Sequence, residues 1–294
     1  MPPSQKGQRF TAVLAASMLL ACGVETGSPH AAQQPHVPET PASKTPPALV
    51  LSLARFPVYQ PGQRPVPLPA ALEFLVPSQE GNWQVVEIED PQSNVFHKAM
   101  SFPGPTGQAR LLTVSGSEAS VKLWQNRDGE LAATRVWRQD FGGRSSRIRD
   151  VEIADLYGDG RAALAVATHD QGVVAILRPN ASGGFSAEEI DRQADTFVHE
   201  IEIGDLDGDG VLEVYATPSE PNRLDGSKQK GSVVRYVPAK GEGRFIVADL
   251  GSRHAKEILV DDMDEDGRDE LYVASDKENW YGATNGTESA SWAG

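Results

Sequence analysis

The sequence predicts an all-β fold assembled from repeated four-stranded units. An acidic loop that ends in glycine occurs at residues 155–160, 205–210 and 262–267. The loops begin about 50 to 57 residues apart, and a fixed period of this length is typical of a repeat architecture. Short apolar runs flank each loop, and their alternation of apolar and polar residues predicts strands with one buried face.

The predicted first strand of each unit lies directly before its loop. Residues 149–155, 199–205 and 256–262 align with one another. Residues 98–104 form a fourth copy, which has the same apolar alternation but no acidic loop after it. We therefore expect four such strands in equivalent positions of the fold.

Three further strands complete the predicted unit. An apolar run follows each first strand, at residues 111–116, 163–168, 213–217 and 270–275. Two more strand-like stretches follow three of these runs, at residues 120–124 and 132–137, 173–177 and 185–190, and 232–237 and 244–250. Gly, Asn and Asp separate the stretches, and no segment has a helical period with caps. Four-stranded units that repeat radially are the blades of a β-propeller.

The number of units predicts an incomplete or small ring, with about four or five blades visible. Residues 71–90 form a partial unit, and the unit that begins at residue 256 has no further strand pattern in the tail, residues 277–294. A truncated or frame-shifted chain, with an open and unpaired strand edge, is the expected explanation. The alternative is a five-bladed ring that is closed by residues 49–59.

Residues 1–21 predict a signal for export. Lys6 and Arg9 precede an apolar run at residues 10–21 that is too short to span a bilayer. The run ends in Leu-Leu-Ala before Cys22, which resembles the lipobox of bacterial lipoproteins and makes Cys22 the candidate lipidation site. An ordinary secretory signal with an incidental cysteine is the alternative.

The rest of the chain divides into a tether and the repeats. Residues 22–48 are rich in Pro, Ser and Thr, and such a segment cannot bury enough apolar surface to become ordered. Residues 49–294 hold the repeats. We therefore expect an exported protein that is lipid-anchored to a bacterial membrane, on its periplasmic or its outer side.

The composition restricts the class of partner. The net charge is −14, which argues against binding nucleic acid or an anionic membrane through a basic surface, and which suits a protein that binds cations. Membrane association is thus expected through the lipid alone. The chain contains one cysteine, so it cannot form an intrachain disulfide.

The acidic loops resemble the FG-GAP and VCBS-type repeats of integrin-α-like β-propellers. The resemblance covers residues 95–275; it is strongest at residues 205–214 and 262–271 and partial at residues 155–164. It implies that a loop binds Ca²⁺ through side chains at its positions 1, 3, 5 and 9 and through the backbone carbonyl at position 7. Alternating carboxylates before a glycine also suit a hard cation on general grounds.

Two loops match this ligand pattern, so we expect about two Ca²⁺ sites. The implied ligands of the second loop are Asp205, Asp207, Asp209, the carbonyl of Val211, and Glu213. Those of the third loop are Asp262, Asp264, Asp266, the carbonyl of Arg268, and Glu270. Gly210 and Gly267 stand where a positive φ is expected. An EF-hand would need an acid at position 12, where the chain has Ala216 and Val273.

The first loop departs from the pattern. Tyr157 and Ala163 occupy positions 3 and 9, which leaves Asp155 and Asp159 as a weak or degenerate site. We expect little or no metal binding there.

A row of basic residues is the candidate contact for an organic ligand. One alignment column of the first strands contains Lys98, Arg149, His199 and Lys256, and the next contains Ala99, Asp150, Glu200 and Glu257. The first strands of a propeller line its channel, so the basic row would attract an anionic ligand such as an acidic sugar. Adjacent residues of a strand point to opposite faces, so the acidic column need not cancel the basic one. The alternative is that these charges only solvate the channel mouth and pair with neighbours.

The histidines give a weaker signal. His97, His199 and His254 fall near the same edge but in different columns, so a shared transition-metal site is improbable from the sequence. His169 and Asp170 are interpreted as an isolated pair in a turn.

The sequence favours a calcium-binding β-propeller lipoprotein of the cell envelope that serves as a scaffold for a protein or glycan partner. It contains no Ser-His-Asp order with a nucleophile elbow, no phosphate loop and no dinucleotide fingerprint, so no catalytic residue is assigned. Two alternatives stay open: a propeller enzyme of the lyase or hydrolase type acting on an extracellular polysaccharide, and a truncated fragment without independent activity.

Overall fold

The computed structural model describes residues 48–56, 68–78, 81–104, 108–116, 118–127, 130–143, 146–221 and 229–276, and the backbone of residues 288–292. These residues contain eighteen β-strands and one short 3₁₀-helix, Pro238–Lys240, but no α-helix. The prediction of an all-β fold is therefore confirmed.

The strands form five antiparallel sheets, each a meander in which sequence neighbours pair. The first sheet consists of β1 (Leu49–Leu53), β2 (Ala70–Pro77) and β3 (Trp83–Asp90). The second consists of β4 (Phe96–Pro103), β5 (Ala109–Ser115), β6 (Ser120–Arg127) and β7 (Glu130–Arg138). The third consists of β8 (Ile148–Ala154), β9 (Ala163–Thr168), β10 (Val173–Pro179) and β11 (Phe185–Arg192). The fourth consists of β12 (Phe197–Gly204), β13 (Glu213–Ser219), β14 (Ser232–Val237) and β15 (Glu242–Asp249). The fifth consists of β16 (His254–Asp261), β17 (Glu270–Asp276) and β18 (Glu288–Trp292).

The sheets are arranged as the blades of a propeller. The first strands pack on one another in order, β1 on β4, β4 on β8, β8 on β12 and β12 on β16. They are therefore the inner strands, and the last strand of each four-stranded sheet is the outer one. The three middle sheets have the four strands that the sequence predicts, within a few residues at each end.

The core consists of the interfaces between successive blades. Separate clusters of buried apolar side chains join the first sheet to the second, the second to the third, the third to the fourth, and the fourth to the fifth. β9 shows why a middle blade is apolar on both faces: Leu164 and Val166 pack toward the second sheet, and Ala165 and Ala167 pack toward the fourth. Small residues on one face and larger ones on the other allow both neighbours to approach closely.

The described blades form an open arc, which confirms the expected incomplete ring. The alternative, a five-bladed ring closed by residues 49–59, is wrong for the described residues. β1 pairs with β2 of its own sheet, with Leu53 opposite Ala71, and it packs on β4. The partial first unit thereby gains a third strand and becomes a blade in its own right.

The tail differs from the expectation that it has no strand. The backbone of β18 pairs antiparallel with β17, with Ala290 opposite Val273. The backbone groups on the free edge of β17 need hydrogen-bond partners, and an extended segment provides them without a periodic apolar sequence. Sequence periodicity could not detect such a strand.

The N-terminal assignments lie outside the described residues. Three predictions therefore stay untested: the signal at residues 1–21, the lipidation site Cys22, and the tether at residues 22–48, of which only residue 48 is described. Within the described part of the chain, no helix has the length and apolarity that crossing a membrane requires.

Candidate functional site

The three acidic loops share one backbone turn. They connect β8 to β9, β12 to β13 and β16 to β17. In the second loop the carboxylate of Asp205 accepts the backbone N–H groups of Asp209 at 3.0 Å and Gly210 at 2.8 Å. Asp155 and Asp262 accept the equivalent two N–H groups in the other loops. The first aspartate thus shapes the turn in all three loops, whatever their remaining side chains.

Positive φ angles also recur in these turns. The closing residues Gly210 and Gly267 have φ of 83° and 91°, as expected. The residue two positions earlier is also left-handed, with φ of 69° at Gly208 and 60° at Glu265. A side chain in this conformation costs about 1–2 kcal/mol, so the third loop contains strain that the second avoids with glycine.

The third loop has the geometry of a cation site. Carboxylate oxygens of Asp262, Asp264, Asp266 and Glu270 lie within 4.8 Å of one another. Four carboxylates at this spacing match the oxygen ligands that Ca²⁺ requires. Among the described residues, no ion pair reaches these carboxylates, so the loop contains no basic side chain that neutralises it. The residues therefore fit the ion that the resemblance implies.

In the second loop, basic side chains pair with the carboxylates. Asp205, Asp207 and Asp209 lie within 4.8 Å of one another, but Glu213 is not part of this group. Glu213 is 1% exposed and accepts hydrogen bonds from Tyr215 and, at 2.7 Å, from Arg235 Nη1. Burial raises the pKa of Glu213 despite these partners.

Two basic side chains also reach the aspartates of this loop. Arg235 Nη1 lies 3.3 Å from Asp207 Oδ2, and Lys240 pairs with Asp209. The second loop thus fits Ca²⁺ through three aspartates, and the ion would compete with Arg235 and Lys240 for them.

The first loop is occupied by arginines. Asp159 Oδ2 lies 2.6 Å from Arg161 Nη2 and 2.7 Å from Arg178 Nη2. The guanidinium of Arg178 also stacks over the ring of Tyr157, 4.1 Å from its centroid. The Arg161 hydrogen bond lowers the pKa of Asp159. Two guanidinium groups therefore neutralise the carboxylate of Asp159. The weak metal binding expected of this loop stays a prediction.

The basic row lies on the four inner strands where the sequence places it, with Lys98 on β4, Arg149 on β8, His199 on β12 and Lys256 on β16. Each strand has an irregular register at this level. The pairing shifts between Phe96 and Lys98, Ile148 and Asp150, Val198 and Ile201, and Ala255 and Glu257. A bulge bends its strand and re-aims the side chains beside it, so simple alternation fails at these positions.

Asp150 joins three blades at this level. Its carboxylate is 4% exposed. Oδ1 lies 3.1 Å from Nζ of Lys98 on β4, and Oδ2 accepts the backbone N–H of Ile201 on β12 at 2.9 Å. The register of β12 shifts just before Ile201, and the aspartate of the neighbouring blade supplies an acceptor for the N–H at this irregularity.

Lys98 therefore faces acids. It pairs with Glu152 as well as with Asp150. Burial lowers its pKa, but the two carboxylates outweigh burial and raise the pKa above the usual value. Lys98 is thus neutralised within the inner strands.

Two glutamates on β12 lie among these acids. Burial raises the pKa of Glu200 to about 9, and the neighbouring carboxylates of Asp150 and Glu257 add to the shift. Burial also raises the pKa of Glu202 to about 7, with Glu152 as the next cause. Glu200 is consequently protonated at neutral pH, and Glu202 is divided between its two forms.

The histidines come together more closely than the sequence suggests. The Nε2 atoms of His199 and His254 are 3.2 Å apart. The ring centroid of His169 lies 5.6 Å from that of His199 and 4.0 Å from that of Phe197. The sequence predicts that His169 is an isolated turn residue, but in the structure it packs against the next blade. His97 lies beside Arg149, with 3.4 Å between Nδ1 and Nη1.

All four imidazoles are neutral at physiological pH. Burial is the main cause, and it lowers the pKa of His199 to about 2, of His97 to about 3, and of His169 and His254 to about 4. Lys256 and Arg149 both add to the shift at His199, so three members of the basic row lie near enough to influence one another. Sequence reasoning missed this cluster because His169 follows a second strand, not a first one.

Residues 155–216 match the family model of the FG-GAP-like repeat. This segment is similar to the FG-GAP-like repeat. The matched segment extends from the first acidic loop through most of β13, and so includes the second loop. No curated protein matches the sequence. Among solved structures, the chain is similar to the β-propeller domain of Nup133 from Vanderwaltozyma polyspora, with 8% identity, 76% of this chain and 71% of that chain covered, and a TM-score of 0.40. A likeness at this TM-score carries no conclusion about the chain.

We predict that Asp150→Ala destabilises the protein by about 3 kcal/mol, because it removes a buried charge partner and leaves the Ile201 N–H unpaired. Asp150→Asn keeps an acceptor for that N–H and should cost less. Asp249→Ala is the matched control, since Asp249 is exposed and accepts only a local N–H from Gly251. Urea unfolding of the four proteins in calcium measures the differences. Equal stabilities for Asp150→Ala and Asp249→Ala would contradict the role of Asp150.

Stability should be greatest near pH 6.5 and fall toward pH 9. A carboxyl group whose pKa is higher in the folded than in the unfolded state stabilises the folded state at low pH. This stabilisation is lost as the pH rises toward the folded-state pKa, so Glu200 and Glu202 lower the stability on the alkaline side. The lowered histidine pKa values have the opposite effect, and destabilise the fold below about pH 6.5. Between pH 6.5 and pH 9 we expect a loss of about 2 kcal/mol.

The pH profile is measured by thermal unfolding at fixed calcium concentration. Glu200→Gln should flatten its alkaline side and leave its acidic side unchanged. An alkaline slope that persists in this variant would show that another group causes it.

Proposed function

We propose that this FG-GAP-repeat propeller is a calcium-stabilised scaffold of the bacterial cell envelope. In this proposal it is exported, is anchored through lipid at Cys22, and binds a protein or glycan partner at the cell surface or in the periplasm. The observation that carries the proposal is the third acidic loop, in which four carboxylates converge and form no ion pair with a described basic side chain.

Calcium has a structural reason to bind at these loops. Each loop links the inner strand of a blade to its second strand, so an ion held there fixes the turn between them. Asp262, Asp264, Asp266 and Glu270 would hold the ion in the third loop, with the carbonyl of Arg268. Asp205, Asp207 and Asp209 would do so in the second loop, with the carbonyl of Val211 and, once released from Arg235, Glu213. The ion supplies positive charge where converging carboxylates otherwise repel one another.

The inner strands support an anionic partner. Arg149 and Lys256 both lie near the buried, neutral His199. Two acids of the adjacent column carry little free negative charge, because Asp150 pairs with Lys98 and Glu200 is protonated. A local basic surface on a chain of net charge −14 would steer an anionic group to this place. An acidic glycan or an acidic protein segment has the required chemistry.

A propeller enzyme acting on a polysaccharide is the second candidate. The observation that favours it is Glu200, a carboxyl with a pKa of about 9 beside the carboxylate of Asp150. Such a difference between neighbouring carboxyl groups is how glycoside-cleaving sites separate an acid from a base. Release of fragments from an acidic polysaccharide would distinguish this enzyme from a scaffold.

Calcium should stabilise the fold by mass action, by about 2–3 kcal/mol for each site at a hundredfold excess over its Kd. Calorimetric titration should show about two sites, and the third loop should bind more tightly because the second must displace Arg235 and Lys240. Asp264→Ala should abolish the tighter site and Asp207→Ala the weaker one. Asp159→Ala is the control and should leave both sites intact. A melting temperature that a chelator does not change would refute the calcium proposal.

The lipid anchor is tested at Cys22. Cys22→Ser should release the protein from the membrane fraction, because anchoring here depends on acyl chains and not on a spanning helix. Mass spectrometry of the mature N-terminus decides the question independently of fractionation. A wild-type chain that begins at another residue, without lipid, would overturn this part of the proposal.

A further inference from the structure

We propose that His199 and His254 form a binding site for a divalent transition metal ion such as Zn²⁺ or Cu²⁺, separate from the calcium loops. The site goes beyond the proposed scaffold function, and it requires neither calcium nor a partner. It lies between the inner strands β12 and β16, both of which have an irregular register at this level.

The distance between the two ligand atoms is the first argument. The Nε2 atoms are 3.2 Å apart. Two imidazole nitrogens that each lie about 2.0–2.1 Å from one Zn²⁺ at a tetrahedral angle are about 3.3 Å apart. The two rings are therefore already placed as neighbouring ligands of one ion.

The orientation of the rings is the second argument. The ring planes are inclined by 71° and the ring centroids are 4.4 Å apart. This centroid distance is only slightly longer than the 3.2 Å between the two Nε2 atoms. The rings thus lie side by side. A straight N–H···N hydrogen bond places rings end to end, so this pair makes at best a bent one. A shared ion would satisfy both nitrogens at once.

The surroundings favour imidazole as a ligand. His199 is 2% exposed and His254 is 5% exposed, so neither ring moves freely in water. His254 also forms a hydrogen bond with the backbone of Glu220. Metal-binding histidines commonly make such a bond through the ring nitrogen that does not bind the metal, which fixes the ring.

Nearby groups define the rest of the site. His169 is the nearest further imidazole, and a change of its side-chain rotamer would supply a third ligand. Lys256 and Arg149 repel a cation at this place and lower its affinity. Imidazole suits Zn²⁺, Cu²⁺ and Ni²⁺, whereas Ca²⁺ requires oxygen ligands, so calcium would not occupy the site.

The experiment titrates the full chain with Zn²⁺ and with Cu²⁺ in the presence of excess Ca²⁺, which keeps the acidic loops occupied. We expect one ion to bind per chain. His199→Asn and His254→Asn should each weaken binding at least tenfold, and His169→Asn by less. His36→Asn is the control for adventitious binding by the N-terminal segment and should have no effect. Thermal unfolding in calcium checks that each variant is folded.

A spectroscopic measurement keeps the proposal testable even if the variants do not fold. The electron paramagnetic resonance spectrum of Cu²⁺ bound to the wild-type chain should show splitting from at least two imidazole nitrogens. Failure of the wild-type chain to bind either ion, a spectrum without nitrogen splitting, or binding that persists in a folded double variant with both His199→Asn and His254→Asn would overturn the proposal. Loss of calcium binding in a variant of the acidic loops would leave this site unaffected, so the two proposals can fail separately.

Discussion

The carboxylate of Asp150 is the interaction on which the inner strands depend. Apolar faces hold successive blades together, but such contacts are non-directional and tolerate sliding. The bonds from Asp150 to Lys98 and to the Ile201 N–H fix three blades at one level. Hydrogen bonds that involve a charged group are stronger than those between neutral groups. Because the carboxylate of Asp150 is buried, dissolved salt screens its interactions only weakly. The position of each inner strand relative to its neighbours is therefore fixed by a polar contact between blades whose other contacts are mainly apolar.

This acid also contributes to the protonation of a neighbour. Burial favours the neutral form of Glu200, and the negative charge of Asp150 beside it adds to this effect, so Glu200 retains its proton. At the same level of these strands, burial and the nearby His254, Lys256 and Arg149 keep His199 neutral. The inner surface of an acidic protein thereby consists of neutral groups with a few fixed charges between them. A partner that binds there, as proposed, would meet those few charges and not the net charge of the chain.

Sequence periodicity predicted the parts of this fold that depend on local pattern. Alternating apolar residues located the strands of the three middle blades, and the spacing of aspartates located the loops. The positive φ of Gly210 and Gly267 also followed from the pattern. A basic column on the four inner strands was predictable for the same reason, because the columns derive from one repeat.

Features that depend on contacts between distant segments were not predictable. Arg178 reaches Asp159, and Lys240 reaches Asp209, only because the sheets bring separate strands together. The bulges were hidden because one extra residue does not disturb apolar alternation on either side of it. His169 was misinterpreted because its neighbours belong to the next blade. The strand β18 was missed because backbone pairing requires no particular side-chain pattern.

The three acidic loops differ in how many basic side chains neutralise them. The pairing with basic side chains weakens from the first loop to the third. The first loop carries permanent arginine partners, the second carries an arginine and a lysine that can be displaced, and the third has no such partner among the described residues. Repeat proteins gain stability from each unit and from its contacts with adjacent units, so weakening an end unit exposes the one beside it. In a calcium-poor medium this arc would therefore unravel from its last described blade inward, and the external ion concentration would set how many blades are folded at a given moment.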